Sequence, residues 1–192
     1  AAVIVVVTIA VLGSAERGTE VALQLSARFA FLVFFPAYVG GAPTTFFGPT
    51  FKPLKQYGRE FGFAFAAALS VHLGLVAWLC HIGFTPGHST FIFFGGAATC
   101  TYILAIFSVG RLQRRIGRKS WWLLRTVALN YIAYAFFVDF WKPPFLSSVN
   151  HLLGYSAFAM LSVIGPLLRL AAFVRYLVYF GSKSIRQGPA TN

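Results

Sequence analysis

The chain has 192 residues, 58% hydrophobic and 10% charged, with sixteen Lys and Arg against four Asp and Glu and a net charge of +12. Soluble domains carry about 25% charge, so the composition excludes a water-soluble globular module, collagen, a disordered tail or a disulfide-stapled secreted domain. Cys80 and Cys100 both lie in apolar runs and signal neither a disulfide framework nor a zinc site.

A bilayer core about 30 Å thick requires about 20 apolar residues per helix. The first apolar run, about 1–14, is shorter than that. No basic stretch precedes it, as a secretory signal would require, and it reads as the remainder of a first transmembrane helix. Full-length runs follow at about 21–41, 60–82, 91–110, 121–141 and 149–178. The expectation is an all-α, integral membrane six-helix bundle forming a single transmembrane domain over 1–192, with no soluble domain. The segment between the second and third spans, 42–59, is rich in proline and glycine and reads as a loop. Pro36 and the Gly165–Pro166 pair are expected to kink the second and sixth spans. In the third span, Gly58, Gly62, Ala66, Ser70 and Gly74 recur every four residues. Such a small-residue stripe lets helix backbones approach closely and is read as a helix-packing face. The 22 Phe are read largely as lipid- or partner-facing.

Basic residues set the orientation. With alternating spans, one side collects Lys52, Lys55 and Arg59, then Arg111, Arg114, Arg115, Arg118 and Lys119, and finally Arg175, Lys183 and Arg186. The other side holds Arg17 and Lys142. The positive-inside rule makes the first side cytoplasmic, which places both termini there, in a multi-pass protein of a bacterial inner membrane. The charge is thus largely topological. Nucleic acid is excluded as a partner, because that would need a basic face on a soluble domain. The cluster at Arg111, Arg114, Arg115, Arg118 and Lys119 is read as a contact for anionic lipid headgroups.

Ionised groups within spans are costly and hence informative. Arg125 and Arg169 lie within one or two turns of the cytoplasmic end, where snorkelling relieves them. Arg28 lies deeper, and Asp139 is the one acid inside a predicted span; the two are read as a structural ion pair. Among the histidines, His88 belongs to a loop, and His72 falls near the middle of the third span. His81 and His151 fall at the ends of their helices at similar depth. Nine residues apart on one helix, His72 and His81 point about 180° apart and sit about 13.5 Å apart along the axis, so they cannot serve one haem. His72, His81 and His151 are the candidate cofactor-binding residues. No catalytic residue set and no metal site is read from these positions.

The segment GREFGFAFAAALSVHLG, Gly58 to Gly74, resembles the third helix of the ferric-reductase-like transmembrane domain family. The likeness is to its branch of haem-bearing membrane subunits of bacterial methionine sulfoxide reductase systems. LQRRIGRKSWWLLR, Leu112 to Arg125, resembles that family's basic cytoplasmic loop and the opening of its fifth helix. The resemblance implies a six-span bundle and a haem-ligating role for His72. The family's fifth-helix histidines are replaced here: Leu124 or Arg125 stands at the first place, and Phe137, Val138 and Asp139 at the second. Two functions follow as expectations. One is a non-catalytic accessory subunit packing against other subunits of a respiratory or photosynthetic membrane complex. The other is a b-type haem or quinone electron-transfer subunit passing electrons across the membrane to a partner.

Overall fold

The computed structural model describes residues 1–13, 16–109, 112–141 and 149–186. In chain order these form α1 (Ala2–Leu12), α2 (Glu16–Val39), α3 (Ala42–Phe47), a 3-10 turn (Pro49–Phe51) and α4 (Lys52–Gln56). Then come α5 (Gly58–His81), α6 (His88–Ser108), α7 (Leu112–Ile116), α8 (Arg118–Phe140) and α9 (Val149–Arg186). No strand occurs among the described residues.

Five helices are long and apolar enough to cross a membrane: Gly18–Val39, Gly58–His81, His88–Ser108, Arg118–Phe140 and Ser156–Tyr179. Between 11% and 39% of each apolar window is buried against the rest of the chain. Most of every span is therefore left for lipid or a partner, as expected of a bilayer protein and not of a water-soluble bundle. α1 is apolar but has 11 residues, fewer than a full crossing needs.

The loop expected over 42–59 is corrected: this segment folds as α3, the 3-10 turn and α4. The reason is local. Pro43, Pro49 and Pro53 each fall in the first turn of one of these short helices, where a missing N–H costs nothing and the fixed φ favours helix. Pro36 and Pro166 lie inside α2 and α9, and neither breaks its helix.

Tight reversals join the spans. α5 ends in a Schellman arrangement: Phe84 N–H donates to the Leu79 carbonyl at 3.1 Å and Gly83 N–H to that of Cys80 at 3.2 Å. Gly83 takes φ +96°, a conformation that glycine adopts without strain. Gly117, φ +80°, turns the chain from α7 into α8.

The helices pack as a ring in which α2 meets α5, α5 meets α6, α6 meets α8, α8 meets α9, and α9 returns to α2. α1 lies outside this ring, with Val5 packed against Ala22 and Leu75. The ring is filled by aromatic side chains. Phe31, 2% exposed, sits 5.0 Å from Phe140 and 5.1 Å from Phe136 in edge-to-face geometry. Phe34, 1% exposed, meets Phe65 at 5.1 Å and stacks on Tyr38 at 5.3 Å. These phenylalanines face the interior, whereas Phe46, Phe47, Phe51, Phe84, Phe91 and Phe173 are exposed. Such ring pairs contribute about 0.5–1.5 kcal/mol each beyond the area they bury.

Towards the end bearing α4 and α7, polar groups tie the ring together. Tyr38 donates to Asn130 Oδ1 at 2.9 Å, joining α2 to α8. The Arg169 guanidinium lies 4.5 Å from the centre of the Tyr38 ring. Its Nη1 is buried without a hydrogen-bond partner, so this arginine turns inward and does not snorkel out. Arg175 donates to the Thr45 carbonyl at 2.8 Å and lies over Phe46, holding α9 to α3.

Candidate functional site

A cavity of about 430 Å³ opens between α2, α5, α6 and α8, toward the end of the bundle carrying Gly83 and Pro86. Each helix contributes one stripe to it. On α8 the stripe is Ile132, Ala135, Phe136, Asp139 and Phe140, the i, i+3, i+4, i+7, i+8 pattern of a single helical face. On α5 it includes Leu69, His72 and Val76; on α2, Gln24, Ala27 and Arg28. Apart from Gln24, Thr90 and Thr101 the rest of the wall is apolar, so the ionisable groups Arg28, His72 and Asp139 stand out as the chemistry of the site. Arg28 also lies 5.8 Å from the centre of the Phe158 ring. The structure thus places Arg28 and Asp139, 111 residues apart in sequence, on the walls of one cavity.

His72 is oriented by α2. Its Nδ1 lies 2.9 Å from Oγ of Ser26, a fully buried residue. The same Oγ donates its single proton to the Leu23 carbonyl at 2.9 Å. A carbonyl only accepts, so the Ser26 proton is committed there and His72 Nδ1 must carry the proton it shares with Oγ. Nε2 is then the nitrogen left with a lone pair. A ring nitrogen fixed in this way by a hydrogen bond on its opposite edge is how proteins set a histidine to accept a proton or a ligand. Ser26 was missed by sequence reasoning. The signal available for it was a hydroxyl within an apolar run two residues from Arg28.

The other histidines lie elsewhere. His81 is exposed in the last turn of α5, its ring 5.7 Å from that of Trp78, and His88 is exposed at the start of α6. The side chain of His151 lies outside the described residues, as do those of Arg111 and Arg114. Among the described residues His72 is the one histidine lining the cavity. The described lining therefore does not supply the facing histidine pair that a bis-histidine haem takes. No group of three or more His, Cys, Asp and Glu able to hold a metal occurs among the described residues.

The small-residue stripe of α5 does not behave as one face. Ala66 is buried, whereas a Cβ placed on Gly58, Gly62 or Gly74 would meet no atom within 4 Å. Ser70 hydrogen-bonds Tyr102 across to α6 at 2.8 Å and also donates to the Ala66 carbonyl. The tightest contacts at glycine occur at other positions, against side chains of neighbouring helices. A Cβ on Gly96 would stand 2.8 Å from Tyr131 Oη, and one on Gly165 would stand 3.1 Å from Phe35.

A second cavity, about 230 Å³, lies between α2, α4, α5, α6 and α8 toward the opposite end. Phe65, Thr101 and Ile132 line both cavities and form the partition between them.

No known family, characterised protein or solved structure matches this chain.

Proposed function

We propose that this protein is a multi-pass subunit of a larger membrane assembly, and that its larger cavity holds a quinone-type head group. The observation that carries this reading is the Ser26–His72 hydrogen bond, which presents Nε2 as an acceptor beside an apolar, aromatic-walled cavity. A quinol hydroxyl donates to such a nitrogen. Arg28 supplies positive charge to an anionic oxygen in the same space, and Asp139 offers a second proton-carrying group. Phe94, Phe136 and Phe140 provide flat apolar walls for the ring. Electrons released by such a molecule pass to a partner subunit. The topology proposed with it is six spans, both termini cytoplasmic, in a bacterial inner membrane. The basic 111–119 segment meets anionic lipid there.

The test is quinone extraction from protein purified in mild detergent out of native membranes, alongside a reduced-minus-oxidised visible spectrum. Near-stoichiometric quinone is expected, lost in His72→Leu and held about tenfold more weakly in Ser26→Ala, the scale of effect typical of a ligand-orienting neighbour. A b-haem spectrum that disappears in His72→Ala would replace the quinone with haem in this role. Absence of both, in a chain running within a larger assembly, would make it a non-catalytic accessory subunit. That second reading is favoured by the described lining, in which no other histidine stands opposite His72.

Arg28 and Asp139 are proposed as an ion pair across the cavity. A double-mutant cycle on unfolding free energy with Arg28→Gln and Asp139→Asn is expected to show coupling of about 1 kcal/mol. Strict additivity would separate them.

A further inference from the structure

The second cavity differs from the first in its charge. Its lining carries Lys55 from α4, Arg59 from α5 and Arg125 from α8, and no Asp or Glu. The whole chain has four acids: Glu16 and Glu20 at the start of α2, Asp139 in the other cavity, and Glu60. Glu60 is exposed at the first turn of α5 and is not part of this lining. Three exposed cations from three helices line this one opening with no carboxylate among them, a lining whose charge is complemented by an anion. Trp121 lines the same cavity beside the cations, and tryptophan is enriched where headgroups meet hydrocarbon. Deeper in, the walls turn apolar through Phe34, Phe65, Leu104, Leu129 and Ile132. Gly58 and Gly62 also line the cavity, and the space over each is open for 4 Å. Side chains there would occupy the room beside Arg59.

We infer that this cavity is a binding site for a phosphate-bearing amphiphile: Lys55, Arg59 and Arg125 hold the phosphate, and the apolar floor takes the first carbons of its chains. The site is distinct from the cluster at Arg115, Arg118 and Lys119, none of which lines it. The required chemistry is a phosphate anion joined to hydrocarbon. An anionic phospholipid meets it whole, and a free phosphate compound meets only the polar half.

The experiment compares lipid retained by the full-length protein in native mass spectrometry after transfer from mixed phosphatidylcholine and phosphatidylglycerol nanodiscs. Phosphatidylglycerol is expected to be retained over phosphatidylcholine. The double variant Arg59→Gln/Arg125→Gln is expected to weaken retention about 30-fold, following the typical contribution of each basic residue at an anionic surface. The control Lys52→Gln, an exposed lysine of the same short helix as Lys55 that does not line the cavity, is expected to change it less than threefold. Equal loss in both variants would overturn the site in favour of general surface attraction, and so would equal retention of the two lipids by the unaltered protein. Thermal stabilisation by inorganic phosphate alone, matching that by phosphatidylglycerol, would reject the lipid and leave a soluble phosphate compound as ligand. Should the double variant fail to fold, Lys55→Gln, on a short exposed helix, supplies the same comparison. Retention unchanged in that variant would then overturn the proposal.

Discussion

Phe31→Ala is expected to cost about 3 kcal/mol of stability, measured as a shift in the unfolding midpoint of the purified protein in detergent. Phe31 is 2% exposed and touches rings from three helices: Phe35 on its own helix, Phe136 and Phe140 on α8, and Phe158 on α9. In a soluble core the same change costs about 3–5 kcal/mol, part of it from transfer to water. Inside a bilayer the transfer part shrinks, because lipid tails are as apolar as the protein interior. What remains is the dispersion and ring–ring attraction lost around an unfilled space. A lower value is therefore expected than in water, yet still a large one. A cost below about 0.5 kcal/mol, the scale of a surface substitution, would show that these rings do not hold the bundle together.

Gly96→Ala should disturb the α6–α8 contact by about 2 kcal/mol, the usual scale of overpacking. Its new Cβ would stand 2.8 Å from Tyr131 Oη and 3.1 Å from Cε1. Tyr131 cannot easily swing away, because its hydroxyl donates to the Phe93 carbonyl at 3.0 Å and its ring packs edge-on against Phe93. Pairing with Tyr131→Phe removes the nearest atom. The double variant is thus expected to be less destabilised than the sum of the two single variants. An additive result would place the strain at Cε1, not at the hydroxyl. Gly58→Ala offers a contrast, since nothing stands within 4 Å of its Cβ position.

What could be read from the sequence followed from how strongly physics constrains it. Long apolar runs located the five helices long enough to cross a membrane, because runs of about 20 apolar residues suit a helix and exceed the strands of the alternative, a closed barrel. The ends were less well placed. α5 begins at Gly58 and α9 continues to Arg186, since the apolar signal stops before the helix does. The 42–59 segment departs from its expected loop because composition alone does not show where a proline falls in a helix, and Pro43, Pro49 and Pro53 stand in first turns. Facing was the hardest property to read. Along α6 the residues are apolar on nearly every side, so nothing in the pattern separates Ala97 and Ala98, which are buried, from Phe91 and Ile92, which are exposed. The partner of His72 was hidden for a related reason. Ser26 lies 46 residues earlier on another helix, and no local periodicity reports a contact across that distance. Arg28 and Asp139 were easier to single out as lining residues, because charge inside an apolar run is conspicuous.

The partition of Phe65, Thr101 and Ile132 bears on how the molecule insulates the membrane electrically. When water, and no ligand, fills both cavities, the poorly polarisable thickness of the bundle shrinks from about 30 Å of bilayer core to a single layer of side chains. Most of the membrane potential would then fall across that layer. A charge carried past it would experience close to the full electrical work of a crossing, about 2.3 kcal/mol per 100 mV, over the width of one phenylalanine ring. His72 and Arg125, on its two sides, would stand close to the opposite membrane faces in voltage, though both lie within the spans.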